Sequence, residues 1–151
     1  MLSEKSLKIG STLMAVMGVF ALVIAILWIL ITEIMFVSDF LFFTGESYEA
    51  YLAASPVYAE FYIITKKLIG FMILAVSIPI LFINQSGYKN GEKWSWYALL
   101  ITGGLLWGTL LGYRIFIGYV GGSSITFVVG LALWLLALLI PIKSFFGKEA
   151  S

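Results

Sequence analysis

The chain has 151 residues, 62% of them apolar and 11% charged, with a net charge of +1. A soluble domain sits nearer one half apolar and one quarter charged. The excess, gathered into long runs, predicts a protein integral to a bilayer, and so small a net charge gives no electrostatic case for nucleic acid. Cysteine and histidine are both absent, which removes disulfides, thiol redox chemistry, the usual zinc sites, histidine-ligated haem and the commonest general base. The carboxylates do not cluster at the spacing of a hard-cation loop, so neither a metal nor a cofactor is expected.

After a polar start with Glu4, Lys5 and Lys8, an apolar run extends from Ile9 to Phe36. It is far longer than the apolar region of a secretory signal and ends in Trp28, Glu33 and Phe36 instead of a small-residue cleavage site, so it is read as a retained first span, 9–36. Residues 37–55 form the longest connection, with Asp39, Glu46 and Glu49 and no lysine or arginine. Within it Tyr48, Tyr51 and Leu52 fall at i, i+3 and i+4, the pattern of a short interfacial helix. An ordered loop with its tyrosines in the aromatic belt accounts for the same residues.

Ser55-Pro56 is a helix start, serine as N-cap and proline at the first helical position. The second span is placed at 56–84, with Pro79 expected to kink its inner half. A polar turn, Asn84 to Lys93, leads to the third span, 94–116, which opens on Trp94 and Trp96 and closes on Tyr113-Arg114. The other spans are expected to pack around it. A glycine-rich uncharged turn, 118–124, precedes the fourth span, 125–142, and a tail with Lys143, Lys148 and Glu149.

These runs predict an all-α membrane protein: a single transmembrane domain, 1–151, folded as a four-transmembrane-helix bundle, up-down-up-down. Lys5, Lys8, Lys89, Lys93, Lys143 and Lys148 fall on one side, and the two opposite connections carry no basic residue. The positive-inside rule then places both termini in the cytoplasm of a multi-pass plasma-membrane protein.

The stretch Gly91 to Leu100, G-E-K-W-S-W-Y-A-L-L, entered from a proline-containing apolar span, resembles the second-to-third helix junction of small prokaryotic four-span proteins grouped loosely as DoxX-like. The resemblance covers residues 67–114. It implies a four-helix bundle and transfers no catalytic residue. On physical grounds alone Glu92 and Lys93 suit a helix start in water, and Trp94, Trp96 and Tyr97 suit an anchor at the interface.

Charges inside a span are functional candidates by default. Arg114 lies twenty residues beyond Trp94, ~30 Å at about 1.5 Å per residue, which brings it to the outer edge of the hydrocarbon. Glu33, Lys66 and Lys67 fall at the same level, with Glu60 nearer the surface. This belt is either closed by its own pairing, with Glu33 coupled to Arg114 directly or through Lys67, or open as an outward-facing pocket for an anionic headgroup or a small polar molecule. Lys66 and Lys67 point about 100° apart on a helix, so at most one faces the bundle centre.

Gly104, Gly108 and Gly112 recur at every fourth position, which lets helices approach closely in lipid, within the bundle or against another subunit. Ser77, Thr102 and Thr109 are expected to bond to their own helices. No nucleotide-binding glycine loop or nucleophile elbow is present. The reading is a non-catalytic integral membrane subunit that packs against and stabilises a larger complex, with lipids and other subunits, or further copies of itself, as partners. The alternative is a binder or carrier of a lipid or small amphiphile through the charged belt. An enzyme using Glu33 or Glu60 with a lysine ranks below both.

Overall fold

A computed structural model describes residues 2–118 and 122–147; residues 119–121 of the glycine-rich turn, and the tail from 148 with Lys148 and Glu149, lie outside the described residues. The fold is all-helical, and among the described residues there is no strand. Four stretches are long and apolar enough to cross a membrane: Glu4–Leu30, Pro56–Asn90, Lys93–Phe116 and Ser124–Phe146.

The first apolar run does not continue to Phe36 as one helix. Helix α1 covers Leu2–Leu30, the chain breaks at Ile31 (φ −123, ψ 44), and α2 resumes over Thr32–Thr44. The Thr32 hydroxyl donates to the Trp28 carbonyl at 2.7 Å and lies 3.4 Å from that of Ile29, occupying acceptors that an uninterrupted helix would use. Much of what the sequence places in the first connection is therefore helical. Gly45 ends α2 in the left-handed region (φ 71), with its N–H returned to the Leu41 carbonyl at 2.9 Å, as a glycine C-cap requires.

The short helix is present as α3, Tyr48–Ala54, with the Ser47 hydroxyl accepting from the Ala50 N–H. Its buried residue is Tyr48 alone, while Leu52 is exposed. Helix α4, Pro56–Ser86, has Pro56 in its first turn; Ser55 precedes it without a side-chain cap bond, and the helix runs through an exposed Pro79. A single 3-10 turn, Tyr88–Asn90, ends on Gly91 at φ 76 and hands over to α5, Lys93–Phe116.

The fourth run divides into α6, Gly122–Leu139, and α7, Ile142–Phe146, instead of spanning 125–142 unbroken. Pro141 explains the division. It has no N–H to return to the Ala137 carbonyl four residues earlier. The Tyr88 hydroxyl takes that carbonyl at 2.6 Å, and its ring packs on Phe145 with centroids 4.8 Å apart. The hydroxyls of Ser6 and Ser144, 2.9 Å apart, set α7 beside the start of α1.

Helix α1, not α5, is the one the others gather on: it touches α2, α4, α6, α7 and the 3-10 turn. Its inward residues include Gly10, Gly18, Ala21 and Ala25 between Met14, Met17 and Trp28. Small residues permit the close approach that holds helices together where lipid removes the hydrophobic drive. Its contacts with α4 run in opposite order along the two helices: Ser11 meets Asn84, Gly18 meets Leu81, and Gly70 meets Ala25 and Ile29. A Cβ on Gly18 would lie 2.6 Å from Leu81, and one on Gly70 3.0 Å from the Ala25 carbonyl oxygen.

Helices α5 and α6 interlock through two reciprocal sockets. The Trp134 indole fills the space over Gly103, and the Trp107 indole fills the space over Gly130. Both indole N–H groups have partners, Trp134 with the Leu99 carbonyl at 2.9 Å and Trp107 with the Met17 sulfur at 3.3 Å. The row Gly104, Gly108, Gly112 is not the packing seam within the bundle. A Cβ on Gly104 would meet Trp134 at an ordinary 3.6 Å, and on Gly108 or Gly112 it would meet nothing within 4 Å. The buried side of α5 carries Gly103, Leu106, Trp107 and Arg114, which turns the row outward.

Gly103→Leu is therefore expected to cost roughly 1 to 3 kcal/mol, the usual penalty of overpacking, and to lower the thermal midpoint in detergent. Gly108→Leu in the same assay should leave the stability of the single chain unchanged.

Candidate binding pocket at the far end of the bundle

The end of the bundle away from Ser6 and Ser144 is covered by α2 and α3. Aromatic rings fasten them down. Phe36 lies edge-on to Tyr48 and Tyr62, with centroids 5.0 and 5.1 Å apart, and Phe40 faces the same two rings at 5.5 and 5.4 Å. Edge-to-face pairs of this kind contribute about 0.5 to 1.5 kcal/mol each beyond the area they bury. The Tyr48 hydroxyl donates to the Ala59 carbonyl of α4 at 3.1 Å. Burial, followed by the charges of Glu33 and Tyr51, holds this phenol above its ordinary pKa, so it stays a donor at neutral pH.

Beneath α2 lies an ion pair. Arg114 Nη2 donates to Asp39 Oδ2 at 2.7 Å, with the two side chains only 11% and 10% exposed. Arg114 Nη1 donates to the Ser124 hydroxyl at 3.1 Å, and the guanidinium carbon stands 4.7 Å from the centre of the Phe127 ring. One arginine thus joins α2, α5 and α6.

Next to this pair is a cavity of about 470 Å³ between α2, α4 and α5, with Trp28 of α1 and Phe127 of α6 also on its wall. Its polar groups include Asp39, Arg114, Lys66, Tyr62, Thr44 and Thr109; Phe40, Phe43, Ile69 and Leu110 are among the apolar ones. The Lys66 ammonium sits 4.9 Å from the centre of the Tyr62 ring, within the range of a cation–π contact. A cavity of this size, largely apolar with a few converging polar groups, has the dimensions and chemistry of a small-molecule site. Among the described residues no three of histidine, cysteine, aspartate and glutamate come together.

The residues singled out from sequence divide between site and surface. Arg114 and Lys66 line the cavity, while Lys67, Glu60 and Glu33 are exposed. Of the adjacent lysines only one turns inward, as their angular separation requires. Arg114 pairs with Asp39 instead of Glu33, because the break at Ile31 redirects α2 and carries its second turn over the bundle. Asp39 itself was assigned to the connection. The signal for it was present: Phe36, Asp39, Phe40 and Phe43 fall at i, i+3, i+4 and i+7, one face of a helix. Ser77 and Thr102 bond to carbonyls of their own helices, at 3.0 and 2.7 Å, and Thr109 is on the cavity wall.

Compared with protein-family models, curated proteins and solved structures, the chain matches none of them.

Removing one member of a buried ion pair leaves the other without a counterion. Asp39→Asn and Arg114→Gln should each destabilise the protein in bilayer discs by about 3 kcal/mol. The double variant should recover part of that loss, measured as a non-additive shift in thermal unfolding.

Proposed function

We propose that this protein binds a small amphiphile, with the polar head among Lys66, Asp39 and Arg114 and the apolar part against the aromatic and aliphatic wall. The observation that carries the reading is the 470 Å³ half-open cavity, in which buried charges and apolar surface share one wall. The charges alone would suit a structural ion pair, and the apolar wall alone would suit packing. Only a molecule with both characters satisfies both. Purification in mild detergent followed by native mass spectrometry should find a stoichiometric amphiphile. Thr109→Trp, which fills the cavity from an exposed position on its wall, should lose it while the fold survives. Equal retention by the variant would overturn the reading.

A second reading is supported by the open glycines: an accessory, non-catalytic subunit of a larger membrane complex. Gly108 and Gly112 leave space on the outer side of α5 that a helix of another membrane protein would fill. A protein that co-purifies with the wild type but not with Gly108→Leu would favour it.

The proposal includes an up-down-up-down bundle in a plasma membrane, with both termini in the cytoplasm. The opposite order of contacts between α1 and α4 and between α5 and α6 supports the alternation, and the lysine distribution supports the sidedness. The DoxX-like resemblance at Gly91–Leu100 adds support for a prokaryotic four-helix bundle and for nothing finer. Sidedness reporters are expected to read cytoplasmic at the C-terminus and external between Glu46 and Glu49. The reverse pattern would invert the topology and place the cavity on the cytoplasmic side.

A further inference from the structure

Three charged side chains line the cavity: Asp39, Lys66 and Arg114. Their charges do not cancel, since one carboxylate faces two cations. Arg114 is already committed, with one nitrogen on Asp39, another on Ser124 and its plane against Phe127. Lys66 is placed differently. It is half-buried, its ammonium rests over the Tyr62 ring, and among the described residues it forms no ion pair. An ammonium offers three donors, and a cation beside apolar walls is costly unless a counterion meets it.

We infer that the head bound in this cavity is a monoanionic oxyanion, a carboxylate or a phosphodiester, and that Lys66, not Arg114, is its anchor. The inference rests on the amphiphile reading above and sharpens it. A head of one negative charge brings the cavity to neutrality. A neutral head leaves the ammonium unmatched, and a dianion leaves an excess negative charge beside Asp39. Arg114 is a positioning residue: it holds α2 over the cavity by its bond to Asp39 and thereby keeps Asp39 from competing for Lys66. The hydroxyls of Thr109 and Tyr113 on the same wall supply donors for the remaining oxygens of the head.

The test uses the full chain in discs of zwitterionic phosphatidylcholine at mildly alkaline pH, titrated with three probes. Dodecanoate carries a carboxylate, lysophosphatidylglycerol a phosphodiester, and monododecanoylglycerol no charge. At least one anionic probe is expected to bind about tenfold or more tightly than the neutral one, a difference of ~1.4 kcal/mol. Which anion binds more tightly identifies the head. Lys66→Gln should abolish the preference, Lys66→Arg should restore it, and Lys67→Gln should leave it intact. If the neutral ester binds as well as the anions and Lys66→Gln changes nothing, Lys66 simply extends to water and the inference fails, while amphiphile binding stands. If none of the three binds the wild type, both fall together. The Arg and Gln variants keep a flexible polar side chain at the position, so a folded sample is expected in every arm, and thermal unfolding verifies it.

Discussion

The Asp39–Arg114 pair is the constraint on which the far half of the molecule depends. Neither charge is well tolerated alone when so buried, and each makes the other's burial acceptable. To reach Arg114, Asp39 has to sit over the bundle, which requires α2 to leave the line of α1. The break at Ile31 provides that turn, and the Thr32 hydroxyl satisfies carbonyls the break exposes. The Phe36, Phe40, Tyr48 and Tyr62 rings then fill the space beneath α2 and α3. The cavity is what remains where the ion pair ends and the aromatic cluster begins, so its roof and its charge have one origin.

The other half is held by close approach and by complete use of polar groups. Where lipid competes with water-driven association, an unmatched N–H or C=O is the larger cost. Among the described residues no buried side-chain nitrogen or oxygen lacks a partner. The indole of Trp96 donates to the Leu138 carbonyl at 3.1 Å, and the Asn84 amide bridges to the Ser11 carbonyl at 3.1 Å. Proline and tyrosine cooperate in the same way at Ala137. The bulky rings lie over glycines, so shape and hydrogen bonding are settled by the same residues.

Hydropathy and end signals located the long helices: the limits of α4 and α5 follow from Pro56, Gly87, Gly91 and the Trp94–Tyr97 anchor. Arg114 and the lysine pair were legible as intramembrane charges. What escaped was local chemistry that hydropathy does not weigh. Thr32 is one polar residue in a long apolar run, and its hydroxyl takes the Trp28 carbonyl where α1 breaks. Asp39 reads as a loop residue because it follows the long apolar run, whereas α2 carries the helix on to Thr44. The glycine row was visible by its spacing, but spacing does not reveal which side of a helix meets a partner. Gly103, one position before the row, is the residue that the Trp134 ring requires, and that requirement belongs to α6.

The unequal lengths of the helices bear on the membrane itself. At about 1.5 Å per residue, the 29 residues of α1 and the 31 of α4 reach ~43 and ~46 Å, while the 23 residues of the fourth span, Ser124–Phe146, reach at most ~35 Å, against a hydrocarbon layer of about 30 Å. The spans therefore differ in how far they reach beyond that layer. Where the apolar stretch of a span exceeds the layer, the helix leans or the lipids beside it stretch. The stability of the protein should accordingly follow acyl-chain length, with an optimum at an intermediate bilayer instead of a steady rise or fall.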